Sequence, residues 1–305
     1  MQLLGRFITL SLLLILLTFV TMVSFSKPSH TLSTLQDEVI KIETNLVVLN
    51  AAVTDSNGKP LAGLKSGDFI LEEDGKPQHI AVFNAENAPF AAALLIDASG
   101  SMKTKLSRAR VAAAQFAESM RPDDVTSVYS FSDKVKNLQE FSSSQDISPD
   151  VWELEAEGET TLYDAMYQSL QALSPRSELR RAIIVISDGG DTKSKHLEKQ
   201  VLELAIKTST NIYAIDITDP LVDKDPKQMI SSGLLKNFAE KTGGQYVKTL
   251  GGKQLSEKLL EISKELRTQY TIGFYPEKES IGHKHHLSLK ISNRPNIQVR
   301  ARQSY

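Results

Sequence analysis

The chain has 305 residues, with 35 Lys plus Arg against 37 Asp plus Glu, a formal net charge of −2. So even a balance supplies no basic face for nucleic acid, and 41% hydrophobic with 24% charged residues is globular rather than disordered or fibrous composition. With no cysteine, disulfides, thiolate metal sites, Cys nucleophiles and Cys-linked lipids are excluded, and any metal must be held by oxygen or imidazole.

At the start of the chain, Phe7 to Ser26 carry no charge between Arg6 and Lys27, with the apolar block Leu10-Ser-Leu-Leu-Leu-Ile-Leu-Leu at the centre. A basic start, an apolar block and the small-x-small exit Ser24-Phe25-Ser26 read residues 1–26 as a secretory signal peptide, or as a signal anchor if retained. Either predicts that the chain beyond about Pro28 is exported to periplasm, cell surface or medium. Any membrane attachment then runs through residues 7–26 alone.

Residues 36–88 form a first β-segment. Glu38-Val-Ile-Lys-Ile-Glu and Leu46-Val-Val-Leu-Asn-Ala-Ala-Val are rich in β-branched residues, and the turns Ser56-Asn57-Gly58-Lys59-Pro60 and Glu73-Asp74-Gly75-Lys76-Pro77 punctuate them. Residues 89–268 then alternate short apolar runs with helical spacing. The runs are Phe90–Ile96, Val125–Phe131, Ala182–Ile186, Ile212–Ile217 and Gln245–Val247. Between them come a helix over 103–120 and three stripes: Leu162, Ala165, Met166 and Leu170; Leu197, Val201, Leu204 and Ala205; Leu255, Leu259, Ile262 and Leu266. This is an α/β pattern, a doubly wound, mostly parallel sheet covered on both faces. Val135–Phe141 is expected as an antiparallel edge and Ser142–Glu159 as a surface loop.

Residues 269–305 return to strands, in Tyr270-Thr-Ile-Gly-Phe-Tyr, His285-His-Leu-Ser-Leu-Lys-Ile and Ile297-Gln-Val-Arg-Ala-Arg. Neither β-segment is large enough to stand alone. The two are therefore expected to join in one small all-β sandwich with the α/β domain inserted between them.

The chemistry lies at strand ends. Leu94-Leu-Ile-Asp97-Ala-Ser99-Gly-Ser101 puts a carboxylate and two hydroxyls where an apolar strand runs out, and open α/β sheets bind ligands at that edge. Ser101 could instead simply cap the helix after it. Gly158-Glu-Thr160-Thr161-Leu opens a helix, and Ile183-Ile-Val-Ile-Ser187-Asp188-Gly189 ends another apolar strand in a carboxylate. Oxygen donors gathered on one rim suit a hard dication such as Mg²⁺.

With these three motifs, residues 90–268 resemble a von Willebrand factor type A domain, and the motifs resemble its metal-ion-dependent adhesion site. The resemblance implies metal-site roles for Asp97, Ser99 and Ser101, for Thr160 and for Asp188, the hydroxyls touching the ion and the aspartates often acting through water. It also implies five parallel strands with one antiparallel edge. Gln269-Tyr-Thr-Ile-Gly-Phe-Tyr-Pro and Val299-Arg-Ala-Arg are similar to the ends of a bacterial subgroup that carries the domain between β-segments. Gly-Glu-Thr-Thr departs from the commoner Gly-Gly-Thr, so Thr161 competes with Thr160; spacing to Leu162-Tyr-Asp-Ala favours Thr160. Asp191 reads as a solvated loop carboxylate.

Neutral hydroxyls leave a bound dication electron-poor, so the expected ligand is an Asp or Glu carboxylate of a partner protein, bound through Mg²⁺ (or Mn²⁺ or Ca²⁺). None of the six histidines lies in the three motifs, and no nucleophile elbow, HExxH or P-loop pattern occurs. No catalytic residue is therefore assigned. The rival readings are a metal-dependent hydrolase using the same crevice, with Glu159 or Asp164 as base, and a structural envelope protein whose metal rigidifies loops. His283 and His285 share a strand face, which permits zinc but more simply makes a polar turn. The single Trp152 either packs its acidic loop down or is an exposed anchor.

Overall fold

A computed structural model describes residues 46–85, 87–219, 226–276, 284–292, 294 and 296–305. The leader and the strand expected at Glu38–Glu43 lie outside the described residues, as does His283. Among the described residues no helix is long and apolar enough to cross a membrane.

The centre is a six-stranded sheet. Its strands are β5 (Phe90–Asp97), β6 (Val125–Phe131), β7 (Val135–Ser142), β8 (Arg180–Ser187), β9 (Thr210–Asp216) and β10 (Tyr246–Lys248), in the order β10-β9-β8-β5-β6-β7. All neighbours are parallel except β6 and β7, which form the antiparallel edge. All eight residues of β5 are buried, as a strand covered on both faces requires. Alternate residues feed two cores. Ala92, Leu94 and Ile96 face α1 (Leu106–Glu118) and α5 (Lys253–Thr268), while Ala91, Ala93 and Leu95 face α2 (Leu162–Leu173), α3 (Glu198–Lys207) and α4 (Pro226–Thr242). The mostly parallel, doubly wound α/β class is thus realised.

Local expectations needed correction in three places. The helix expected from 103 starts at Leu106, after a 3-10 turn at Gly100–Thr104, so Ser101 sits inside that turn and caps nothing. Leu197 is 66% exposed just ahead of α3, which buries only Val201 and Ala205. Helix α4 carried no recognisable stripe because, among its described residues, the buried apolar ones, Leu235, Phe238 and Ala239, span a single turn and Ile230 is exposed; Gly243, at φ +81°, stops it.

The flanking strands build two further sheets over one apolar core. β1 (Val47–Thr54) lies between β11 (Tyr270–Phe274) and β13 (Gln298–Arg300), with β4 (Val82–Asn84) beyond β11; β2 (Phe69–Glu73) lies between β12 (Leu287–Ile291) and β3 (Lys76–Pro77). Leu49, Ala51, Phe69, Leu71, Ile272 and Phe274 fill the space between. Tyr270 packs against Phe69 and Phe83 with ring centres 5.1 and 5.9 Å away. The β2–β3 turn places Asp74 at φ 49° and Gly75 at φ 79°, the geometry an Asp-Gly hairpin supplies.

These sheets are fastened to the amino-terminal ends of the parallel strands. Asn50 Nδ2 donates to the Leu179 carbonyl at 3.0 Å and Arg302 to the Ile206 carbonyl at 2.7 Å. Arg300 donates to the Gly244 carbonyl at 2.8 Å and to Glu265, which also accepts from the buried Tyr213 hydroxyl at 2.7 Å. The carboxyl ends of the strands, on the far edge, carry the motifs.

Candidate metal centre

Successive connections leave β5 toward β6 on one side and reach β8 on the other, so a crevice opens between the carboxyl ends of β5 and β8. Asp97 is the last residue of β5 and fully buried. Its Oδ1 accepts from the Ser99 amide at 2.8 Å and its Oδ2 from the Ser187 hydroxyl at 2.5 Å. Burial pushes its carboxyl up to about 6, against the pull of those hydrogen bonds and with the Asp188 charge adding to the rise. Readier protonation is thus the cost of keeping this carboxylate dry, and a cation beside it would relieve that cost.

The other donors follow in a chain. Ser99 Oγ lies 3.1 Å from Ser101 Oγ, and Ser101 donates to Asp188 Oδ1 at 2.7 Å. Asp188, 1% exposed, follows β8 directly, and its carbonyl accepts from the Thr218 hydroxyl at 3.0 Å. Its Oδ2 receives the Lys105 ammonium at 2.7 Å. Asp97, Ser99, Ser101 and Asp188 are therefore one hydrogen-bonded group.

Thr160 reaches this rim through its backbone. Its amide donates to Thr192 Oγ1 at 2.9 Å, and its carbonyl accepts from the Thr192 and Lys193 amides at 2.9 and 3.1 Å. The preceding Gly158 carbonyl accepts from the Gly100 amide at 3.1 Å. The second loop is thus tied to the first at Gly158 and to the third at Thr160. Thr161 stands just before α2 with its hydroxyl buried and, among the described residues, without a hydrogen-bond partner. Both threonines are therefore available as the second-loop donor.

The sequence missed the clamp behind these loops. Asp191 is not a solvated carboxylate: it accepts from the Tyr163 amide at 3.1 Å and from the Ser194 hydroxyl and amide, closing the amino end of α2. Asp164 accepts from the His196 amide at 2.9 Å and meets His196 Nδ1 at 2.6 Å, while the imidazole stacks on Tyr167. His196 lies two residues ahead of α3. Glu159 pairs at the surface with Lys193 at 3.1 Å. The signal for the clamp was the density of short polar residues in Asp191-Thr-Lys-Ser194 just after an apolar strand.

Elsewhere, His285 meets Asp74 at 2.7 Å and Glu73 at 3.6 Å, a polar turn on the β-sheets, and Trp152 is 48% exposed in its loop. Among the described residues no group of three or more His, Cys, Asp or Glu side chains gathers as a ligand set. The crevice offers two carboxylates and at least two hydroxyls instead, a hard, mixed oxygen set that fits Mg²⁺, Mn²⁺ or Ca²⁺.

The family model described as von Willebrand factor type A domain matches residues 92–190. No curated protein sequence matches the chain. Solved structures similar in fold include the conserved hypothetical protein BatB from Bacteroides thetaiotaomicron, 17% identical over 58% of this chain and 98% of that one, with TM-score 0.46. A von Willebrand factor type A protein from Catenulispora acidiphila is 11% identical over 84% and 72%, with TM-score 0.48. Proximal thread matrix protein 1 from the mussel byssus, described with a zinc-occupied MIDAS motif, is 16% identical over 65% and 50%, with TM-score 0.47. The segment that matches the von Willebrand factor type A domain model, residues 92–190, contains Asp97, Ser99, Ser101, Thr160 and Asp188.

Proposed function

We propose that the chain is an exported protein-binding module that takes an acidic side chain of a partner onto a divalent ion held by Asp97, Ser99, Ser101, Thr160 and Asp188. One observation carries the reading: two buried carboxylates and two serine hydroxyls from separate loops form a single hydrogen-bonded group at the crevice. The ion, Mg²⁺ or else Mn²⁺ or Ca²⁺, supplies Lewis acidity toward a carboxylate oxygen. The chain's own residues contribute oxygen donors of low total charge, a dry floor at Asp97 and a fixed spacing between loops. An Asp or Glu of the partner matches this electron-poor site better than a neutral or basic group does. Export rests on the uncharged run Phe7–Ser26.

The crevice is read as a binding site rather than a hydrolytic one because the histidine nearest Asp188 in sequence, His196, is engaged by Asp164 and Tyr167. A general base must reach the reacting group. The test is a pull-down of envelope and secreted proteins on the immobilised chain, with Mg²⁺ and with EDTA. A partner lost in EDTA, restored by Mg²⁺ and absent with Asp97→Ala supports the module. Retention of the partner by Asp97→Ala would assign the metal a structural role, and hydrolytic turnover abolished by that substitution would make the crevice an active site.

A further inference from the structure

Lys105 stands where local physics argues against a lysine. It is the residue immediately before α1, a position that favours Ser, Thr, Asp or Asn, and it makes no side-chain cap there. A cation at a helix amino terminus also opposes the helix dipole. Yet Lys105 is only 5% exposed, and its ammonium lies 2.7 Å from Asp188 Oδ2. The other Asp188 oxygen takes the Ser101 hydroxyl at 2.7 Å. Both oxygens of Asp188 are thus engaged from the first loop, one by a full positive charge. A local helix-start rule is thus broken at a residue whose ammonium meets a carboxylate of the crevice, a pattern expected at functional sites.

We propose that Lys105 competes with the divalent ion for Asp188, and so sets how tightly the crevice holds metal and how positive the loaded site becomes. The inference rests on the metal-site reading above. With Asp97 and Asp188 both ionised, Lys105 brings the net charge of the group from −2 to −1. A dication then leaves the loaded site at +1 instead of neutral, which weakens the hold on the metal and strengthens the attraction for an acidic partner. In the metal-free state the same ammonium neutralises a buried carboxylate that would otherwise stand alone.

The test measures Mg²⁺ and Mn²⁺ binding by calorimetry on the EDTA-stripped full chain, as wild type, Lys105→Gln and Lys105→Arg. Lys105→Gln is expected to melt earlier in EDTA but to bind Mg²⁺ about tenfold more tightly or better, while Lys105→Arg, which keeps the charge, stays near the wild-type affinity. A purely structural ion pair predicts the reverse for Lys105→Gln, so equal or weaker binding by that variant overturns the proposal. If Lys105→Gln fails to fold, the wild-type chain with ¹³C-labelled lysine decides. The Lys105 signal should move with Mg²⁺ at the midpoint of the calorimetric titration, and a signal unchanged at saturation overturns the proposal. Binding by Lys105→Gln alone, removed again by Asp97→Ala, supports it. Absence of binding in the wild type and both variants overturns this proposal and the metal-site reading together, whereas binding without the Lys105 effect overturns this proposal alone.

Discussion

Gly158 shows how much one residue controls at the crevice. Its φ is +77°, and a β-carbon there would fall 2.6 Å from Asp133 Oδ2. Its carbonyl holds the Gly100 amide, so the backbone strain of Gly158→Ala falls on the second loop where it is tied to the first. The expected result is a loss of about 1–2 kcal/mol in stability, together with a drop in Mg²⁺ affinity on the order of tenfold, both readable by calorimetry. Asp216 illustrates the opposite case, a buried acid stabilised by its surroundings. Burial raises its carboxyl, but donors from Ser232, the Thr218 amide and Tyr246, the two hydroxyls each at 2.6 Å, outweigh that and leave it below the ordinary 3.8. Its stabilisation is complete above the unfolded value and is lost as pH falls through the lower folded value. Asp216→Asn should therefore lower stability at neutral pH and flatten the acid limb between about pH 5 and pH 3 in denaturant titrations. Asp97, Ser99, Ser101 and Asp188 could be picked out in the sequence because each lies within a few residues of the end of an apolar strand. Lys105 could not, because Lys103 two residues earlier is equally charged and only the fold buries one and exposes the other.

At the scale of elements, strands buried along all or nearly all of their length were legible from their apolar runs, β5 and β8 above all. Helices were legible in proportion to the length of their apolar stripe. Helix α5 shows all four of Leu255, Leu259, Ile262 and Leu266 buried, whereas α4 rests on one turn. What no pattern revealed is the polar fastening of α5. Near its carboxyl end, Arg267 donates to Asp124 Oδ2 through Nε at 2.8 Å and Nη2 at 2.6 Å, with both side chains less than 10% exposed. Arg267 also lies over the Phe90 ring. The two partners are 143 positions apart, and no local period reports such a pair. Arg267→Met should cost about 3–5 kcal/mol because it strands Asp124 as a buried charge. Pairing it with Asp124→Asn should recover part of that loss in urea denaturation, and equal instability of the single and double variants would show that packing on Phe90 dominates.

Across the whole molecule, strands from the two ends of the chain interleave. β1 has β11 on one side and β13 on the other, and β2 has β12 beside it. Removing residues 270–305 takes away β11, β12 and β13 at once, leaving β1 with no neighbour and β2 only with β3. The truncated chain should therefore lose order from Val47 to Glu73, detectable as rapid proteolysis and amide exchange there; protection unchanged in that stretch would mean that the amino-terminal strands stand by themselves. Asn84 and Thr271 are register partners in adjoining strands, so the polypeptide departs for the α/β unit and returns from it through neighbouring doorposts. Such a doorway makes the β-framework a socket: a short bridge across it should leave the frame intact, and a different plug of similar footprint could be grafted in its place.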